Sequence, residues 1–255
     1  MITARLFLLA RRSVATIILT LTAVPIAQAE DVFSEVSIDA ELTLASQFRS
    51  RGIMQTNNKP AIQGGFTLAH TSGFYLGNWN SSISWLGDSH PDVSAPIEMD
   101  FFAGYATAIA ADATIDVGVL QYYYPGSFPD DYTRPYTTEA YLALGYGPVQ
   151  FKYSHSLSNL FGIPDSKGSQ YYDLKGSFPL GLWGLELSAH VGYQRVRNFS
   201  DASYADWSLG LSKTWNGLTA ALHYVDTNAD RDVYVNTKDR YTGSAAVILT
   251  LTQRF

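Results

Sequence analysis

The stretch AAVILTLTQRF, residues 245–255, alternates along its length between two kinds of side chain. Val247, Leu249 and Leu251 fall on one face of an extended chain, and threonine occupies two of the positions between and beyond them. Alternation with a period of two is the pattern of a β-strand that has one apolar face and one small or polar face. The stretch therefore predicts a strand, and the rest of the chain must supply strands that pair with it.

The same alternation recurs upstream and predicts twelve strands in all. Many of these segments are close to the length that a tilted strand needs to cross a bilayer. The predicted strands are Val36–Arg51, Ala61–His70, Tyr75–Trp85, Glu98–Ala108, Ala113–Tyr124, Tyr136–Tyr146, Val149–Ser158, Gln170–Phe178, Leu185–Val196, Tyr204–Trp215, Leu218–Val225 and Tyr241–Phe255.

The connectors between these strands alternate in length, with six long loops and five short turns. The tightest turn, Asn216-Gly217, carries the strongest short hairpin signal. Long loops that alternate with short turns are typical of outer-membrane barrels, where the turns are periplasmic and the loops extracellular. The pattern predicts an all-β fold, a single up-and-down antiparallel transmembrane barrel of twelve strands. The alternative is a secreted β-sandwich, whose connectors need not alternate in length.

The N-terminal segment has the form of a secretory signal peptide. Three arginines precede an apolar stretch, Val14–Ile26, which ends in Ala27-Gln28-Ala29. This order predicts cleavage after Ala29 and export of residues 30–255 as one barrel domain. The predicted location is the cell outer membrane.

Composition excludes several classes of protein. The net charge is −6, and loss of Arg5, Arg11 and Arg12 with the signal peptide leaves 14 basic against 23 acidic residues, a net charge of −9. A nucleic-acid-binding face needs the opposite balance. The chain has no cysteine, which excludes thiol catalysis and thiolate metal sites. Aromatic residues at 14% and charged residues at only 16% favour a barrel.

One face of each predicted strand is polar, and in a barrel this face lines the lumen. Either these charges form a cross-strand network that ties the wall together, or their excess of acid favours the passage of cations. Arg49 and Arg51, at the outer end of the first strand, pair with acids or contact an anionic solute. The predicted pore-lining residues are Asp39, Glu41, Arg49, Arg51, Glu98, Asp100, Asp116, Glu139, Lys152, Asp173, Lys175, Glu186, His190, Asp206 and His223, with Arg254 also turned inward.

Aromatic residues near strand ends predict a girdle at the two membrane interfaces. The alternative is a set of aromatic side chains packed in a soluble core. The residues concerned are Tyr75, Trp85, Tyr105, Tyr193, Trp207, Trp215 and Tyr224.

No catalytic or metal site is predicted. His155 lies between Ser154 and Ser156, but neighbours on a strand face opposite sides, so neither serine can serve it directly. The acidic loop Asp226–Asp232 resembles the start of a calcium loop, yet Arg231 stands where an EF-hand needs glycine. The loop is interpreted as a solvated acidic segment, with weak divalent-ion binding as the alternative.

Several motifs resemble a known family. The stretches Arg51–Thr56, Pro60–Gly65, Tyr122–Pro125 and Tyr172-Asp173-Leu174 are similar to the signature of the TorF family of proposed porins, also catalogued as a Gcw-type conserved hypothetical proteobacterial family. The resemblance implies an outer-membrane barrel that acts as a channel, and it supplies no catalytic residues. Bacterial outer-membrane barrels also end on an aromatic strand that their assembly machinery reads, which makes Phe255 the predicted assembly signal.

These inferences predict a non-enzymatic, porin-like channel for passive diffusion of small polar solutes, with a possible bias toward cations and with no cofactor. The expected partners are outer-membrane lipids and lipopolysaccharide, the barrel-assembly machinery and the solutes themselves, and no nucleic acid. Two alternatives remain: a closed structural or adhesion barrel with functional extracellular loops, and a barrel lipid hydrolase.

Overall fold

The computed structural model describes residues 35–255, so the predicted signal peptide, residues 1–29, lies outside the described part of the chain. Almost all regular structure in this part is β-strand. The elements are β1 Val36–Ala45, β2 Arg49–Ser50, β3 Ile53–Met54, β4 Ala61–His70, β5 Phe74–Ser82, α1 Trp85–Ser89, β6 Ile97–Ala110, β7 Ala113–Tyr123, β8 Thr137–Tyr146, β9 Val149–Ser156, β10 Gln170–Pro179, β11 Leu185–Arg195, a 3-10 turn Ser200–Ala202, β12 Tyr204–Trp215, β13 Leu218–Thr227 and β14 Ala246–Arg254.

Twelve of these strands form a closed antiparallel barrel in which each strand pairs with its neighbours in the chain. The barrel closes where β14 pairs with β1, with Leu251 opposite Leu44 and Arg254 opposite Glu41. At this seam residues 41–45 pair with residues 250–254, so the sheet has no open edge strand. The predicted twelve-stranded up-and-down barrel is confirmed, including the pairing of its last strand with its first.

The two ends of the barrel differ, as the connector lengths predict. The start of β1 and the end of β14 lie at the end of the barrel that carries the short turns, which include Gly147-Pro148 and Asn216-Gly217. Asn216 and Gly217 take φ angles of 50° and 80°. Two consecutive positive φ values are the geometry of the hairpin turn that matches strand twist. We call the opposite end, where the long connectors gather, the loop end.

Side chains alternate between the lumen and the outside along every strand. The outward positions are apolar and exposed, as at Ile38, Leu44 and Leu209. Phe255 lies in phase with the outward Leu251 and is 46% exposed, so it does not sit in a dry core. Within residues 35–255, no helix is long and apolar enough to cross a bilayer.

Two members of the predicted girdle are elsewhere. Tyr75 points into the lumen, where its hydroxyl bonds to Asp116 at 2.5 Å. Trp85 begins α1 in a loop and packs edge-on against Tyr124. The prediction for Tyr75 is wrong. Both faces of β5 carry aromatic side chains, so the sequence does not show which face of this strand points into the lumen. Tyr105, Tyr193, Trp207, Trp215 and Tyr224 stay on the outward face.

The first strand is shorter than predicted. It ends at Ala45 instead of Arg51, and Arg49 belongs to the small β2–β3 hairpin. Arg51 and Gly52 turn this hairpin with φ angles of 48° and 78°. The chain leaves the barrel wall after Ala45, but β2 is also extended, so the alternation of side chains seen in β1 continues through it. The sequence pattern alone therefore does not show where the first strand ends. Arg49 and Arg51 do not lie on the first strand.

Candidate functional site: a hairpin across the lumen

Residues 46–60, here called the constriction hairpin, leave the wall after β1 and fold inward. At the tip, a Cβ atom added to Gly52 would lie 2.9 Å from Cβ of Asp206 on β12 and 3.3 Å from Cβ of Thr227 on β13. Glycine is thus needed both for its backbone angle and for the close approach to the wall. The tip also contacts β7, β8, β10 and β11, and β8 to β10 stand opposite β1 and β4 in the strand order. The hairpin therefore spans the lumen.

Arg51 fixes the tip of the hairpin to this opposite wall. Its guanidinium donates to Oε2 of Glu139 at 2.7 Å and to Oε1 of Gln194 at 2.6 Å. A third bond reaches the hydroxyl of Tyr122 at 3.2 Å. The guanidinium also stacks over the ring of Tyr171, 4.2 Å from its centroid. One side chain therefore joins strands β7, β8, β10 and β11.

The Arg51–Glu139 pair is shielded from solvent. The side chain of Arg51 is 10% exposed and that of Glu139 is 2% exposed. Burial alone would lower the pKa of Arg51, but the Glu139 carboxylate and the adjacent tyrosines raise the pKa well above its ordinary value, so the guanidinium stays charged. Glu98 and Asp100 are buried close by on β6, and among residues 35–255 Oδ1 of Asp100 has no hydrogen-bond partner. Three buried carboxyl groups thus lie near one guanidinium.

The base of the hairpin is held by loops from both sides. The backbone oxygen of Gln55 accepts bonds from the amides of Ser84 at 2.8 Å and Trp85 at 3.1 Å. Arg49 donates to the backbone oxygens of Thr242 at 2.9 Å and Ser244 at 3.0 Å. The hairpin is therefore a fixed part of the loop end rather than a free strand extension.

Apolar side chains of the long loops form a lid above the hairpin. Leu86 of α1 is fully buried against Tyr124, Val93 and their neighbours. A second apolar group forms around Leu160 and Val196. Asp88 links α1 to the last long loop through an ion pair with Lys238. A cavity of about 260 Å³ lies between the hairpin and this lid, with Glu98, Tyr124 and Phe161 in its wall.

Below the hairpin, His190 bridges two acids across neighbouring strands. Its ring nitrogens lie 2.7 Å from Oδ1 of Asp173 and 2.7 Å from Oδ1 of Asp206. The hydroxyl of Tyr171 donates to the same Asp206 carboxylate at 3.1 Å. This network borders a cavity of about 430 Å³ that also reaches His223 and Ser208.

The remaining predicted residues lie on the inward face nearer the short turns. Asp116 accepts from Tyr75, and Lys152 lies 3.9 Å from the centroid of the Tyr141 ring. Glu41 faces Arg254 with a 3.5 Å separation. A cavity of about 600 Å³ opens beside Asp116, Tyr141 and Lys152. Asp39, Lys175 and Glu186 share this inward phase.

The inward charges are only partly brought together. Ion pairs join Arg51 to Glu139, His190 to Asp173 and Asp206, and Arg254 to Glu41. Glu98 and Asp100 have no such partner among residues 35–255. The arrangement can brace the wall, and it places more carboxyl groups at the level of the hairpin than Arg51 can pair with.

Sequence reasoning missed three contacts of the constriction. Gln194 and Tyr171 are not among the predicted site residues, and Tyr122 enters the sequence analysis only through the family motif Tyr122–Pro125. Their contacts with Arg51 come from strands 71 to 143 residues away in the chain. The alternation along each strand places these residues on the lumen side, and this is the one sequence feature that could have indicated the contacts.

His155 and the acidic loop are the two places where the sequence resembles a chemical site. The ring of His155 points outward and contacts the hydroxyl of Tyr153 at 3.0 Å, while Ser154 and Ser156 are buried on the inward side. Asp230 accepts the amide of Asp232 within the acidic loop. In the described part of the chain, no three His, Asp or Glu residues are grouped to hold a metal ion.

Comparison with known proteins gives a family and several barrels. A family model described as a bacterial protein of unknown function (Gcw_chp) matches residues 29–255. No curated protein matches the sequence.

Three solved structures illustrate the likeness. The KdgM porin has 9% identity and a TM-score of 0.49, with 86% of this chain and 97% of that chain covered. The NanC porin has 9% identity and a TM-score of 0.47, covering 85% and 98%. LpxR from Salmonella typhimurium has 10% identity and a TM-score of 0.46, covering 85% and 99%. At these TM-scores the likeness carries no argument about activity.

Proposed function

Since the chain belongs to the Gcw_chp family of bacterial proteins, we propose from its own geometry that it is an outer-membrane, porin-like channel for small polar solutes. The observation that carries the proposal is the contrast between the two faces of a closed barrel. The outward positions are apolar and exposed, and the inward positions are polar and charged. A barrel with this arrangement satisfies its backbone in lipid and encloses a hydrated path.

The size of the barrel suits small solutes. Twelve strands spaced by ~4.8 Å and tilted by roughly 40° close into a backbone cylinder about 24 Å across. Inward side chains reduce this width, and the constriction hairpin divides the remaining space into the cavities above and below it. Passage therefore depends on movement of the hairpin or on narrow gaps beside it.

The charge at this level favours cations. Glu98, Asp100 and Glu139 are buried near Arg51, and the salt bridge of Arg51 is to Glu139. The ionised fraction of Glu98 and Asp100 therefore sets the charge at this level. A solute that passes the hairpin meets these carboxyl groups, and charge at a narrow point sets ion preference. We propose that neutralising the pair with Glu98→Gln and Asp100→Asn moves the reversal potential in a KCl gradient toward that of a non-selective pore.

The decisive experiment measures current through the refolded mature chain in planar bilayers. The wild type should conduct weakly, and replacing residues 48–56 with two glycines should raise the conductance severalfold. Lys59→Gln is the matched control, because Lys59 is exposed in the same segment. The readout counts only protein whose electrophoretic mobility changes on heating, as a folded barrel requires.

A closed barrel is the second candidate, favoured by the hairpin that crosses the lumen and by the apolar lid above it. It predicts a silent bilayer for the wild type and a current only after the hairpin is replaced. A silent wild type, obtained with folded protein, would rule out the channel. Among residues 35–255, the side chain of His155 forms a hydrogen bond with Tyr153 alone, and this contact does not support a lipid hydrolase.

A further inference from the structure

The outward face of β9, β10 and β11 is layered in a fixed order. Strand register places residues of these three strands side by side in rows, because each outward residue of β10 pairs with one on either neighbour. From the short turns toward the loop end, the rows are Phe151–Leu174–Val191, then Tyr153–Tyr172–Tyr193, then His155–Gln170–Arg195.

This order matches the layers of a bilayer leaflet. Aliphatic side chains suit the hydrocarbon, tyrosines suit the interface, and polar or basic groups suit the level of the headgroups. The third row therefore lies at headgroup level in the leaflet that faces the loop end. The assignment rests on the outer-membrane placement in the proposed function.

Two more basic side chains lie next to the third row. Arg197 follows Arg195 on the same side of the chain, and its guanidinium lies 3.4 Å from the backbone oxygen of Lys167. His155, Lys167 and Arg197 line one open recess of about 920 Å³. Arg195 donates to Gln170 at 3.2 Å beside it. We call His155, Lys167, Arg195 and Arg197 the headgroup patch.

The headgroup patch concentrates positive charge on an acidic protein. Lys167, Arg195 and Arg197 are exposed, and none of the three forms an ion pair with another residue of the range 35–255. Asp165 is the one carboxylate in the wall of the recess. Lys167 and Arg197 in that wall, with Arg195 beside it, outnumber this carboxylate and attract an anion in a chain whose net charge is −6.

We propose that the headgroup patch binds the phosphates of lipid A in the outer leaflet. Arginine pairs well with phosphate because its planar fork donates two bonds at once. Three fixed charges exceed what one singly charged phospholipid needs and suit a headgroup with two phosphates.

The test is a native mass spectrometry titration of the mature chain, folded in detergent, with bisphosphorylated lipid A. The patch variant combines Lys167→Gln, Arg195→Gln and Arg197→Gln. The control variant combines Lys59→Gln, Lys213→Gln and Arg240→Gln, which removes the same charge from exposed positions elsewhere. Each patch base should contribute about fivefold to affinity, so the patch variant should lose roughly a hundredfold, while the control stays within about twofold of the wild type.

Three ligand arms identify the source of the phosphate: dephosphorylated lipid A, phosphatidylglycerol and inorganic phosphate. We expect each to bind much more weakly than lipid A. Equal losses in the two triple variants, or equal affinity for any of the three ligands, would overturn the proposal. Because the readout is binding, a silent bilayer would refute the channel and leave this assignment standing.

Discussion

Replacement of Arg51 by methionine should release the constriction hairpin and open the lumen. Arg51 makes two short charge-assisted hydrogen bonds, to Glu139 at 2.7 Å and to Gln194 at 2.6 Å. Hydrogen bonds to charged groups contribute about 1.5–3 kcal/mol each, so the two together hold the tip by about 3–6 kcal/mol. Since every 1.4 kcal/mol is about tenfold, the ratio of closed to open states should fall by roughly 10² to 10⁴.

The assay is single-channel recording in planar bilayers, with the open fraction and the unit conductance as readouts. Arg51→Met should raise the open fraction strongly. Lys59→Met removes the same charge from an exposed position of the same segment and should leave the recording unchanged. Urea unfolding of both variants in vesicles checks that the barrel itself stays folded. We expect it to stay folded, because lumen water can solvate the unpaired Glu139 once the hairpin has left the wall.

A double-mutant cycle with Glu139→Gln tests the mechanism. Glu139→Gln alone should open the channel less than Arg51→Met, because the Arg51 bond to Gln194 remains. The double variant should add little to Arg51→Met, since residues that share a bond are not additive. If Arg51→Met matched the wild type and Lys59→Met in open fraction and conductance, the reasoning about the hairpin would be refuted.

Three further perturbations test other parts of the structure. His190→Ala removes two hydrogen bonds of 2.7 Å and leaves the buried Asp206 with the Tyr171 hydroxyl. The free energy of unfolding in urea should therefore fall by about 1–3 kcal/mol, whereas the control Ser188→Ala on the same strand should change it little. Gly192→Ala should also destabilise the barrel, because the added Cβ would strike the Tyr171 hydroxyl and lie 2.7 Å from Oδ2 of Asp206. Its control is Gly147→Asn, in an open turn with a φ angle of 53°, which should leave the unfolding midpoint nearly unchanged. Deletion of Phe255 should slow insertion into the outer membrane in a pulse-chase measurement, and equal kinetics for the deletion and for Gln253→Ala would contradict an assembly signal at the C-terminus.

Much of the site could be read from the phase of the strands. Every predicted acid on a strand, such as Glu98, Asp116 or Asp206, lies on the inward face. Polar and apolar residues alternate along these strands, and residues paired across neighbouring strands face the same side of the sheet. Tyr75 was misplaced because β5 has aromatic side chains on both faces, as with Phe74 and Trp79.

The sequence by itself determined the number of strands, the inward faces of most of them, the short turns and the closed barrel. These features follow from a period of two and from turn residues such as Asn216-Gly217, which act over a few neighbouring positions. Only the tertiary structure decided that residues 46–60 leave the wall and cross the lumen. An extended hairpin arm and a continuing strand have the same alternation, and the partners that hold Arg51 in place, Glu139 and Gln194, lie 88 and 143 residues along the chain. Closing the barrel brings those partners opposite β1, where the guanidinium can reach them both.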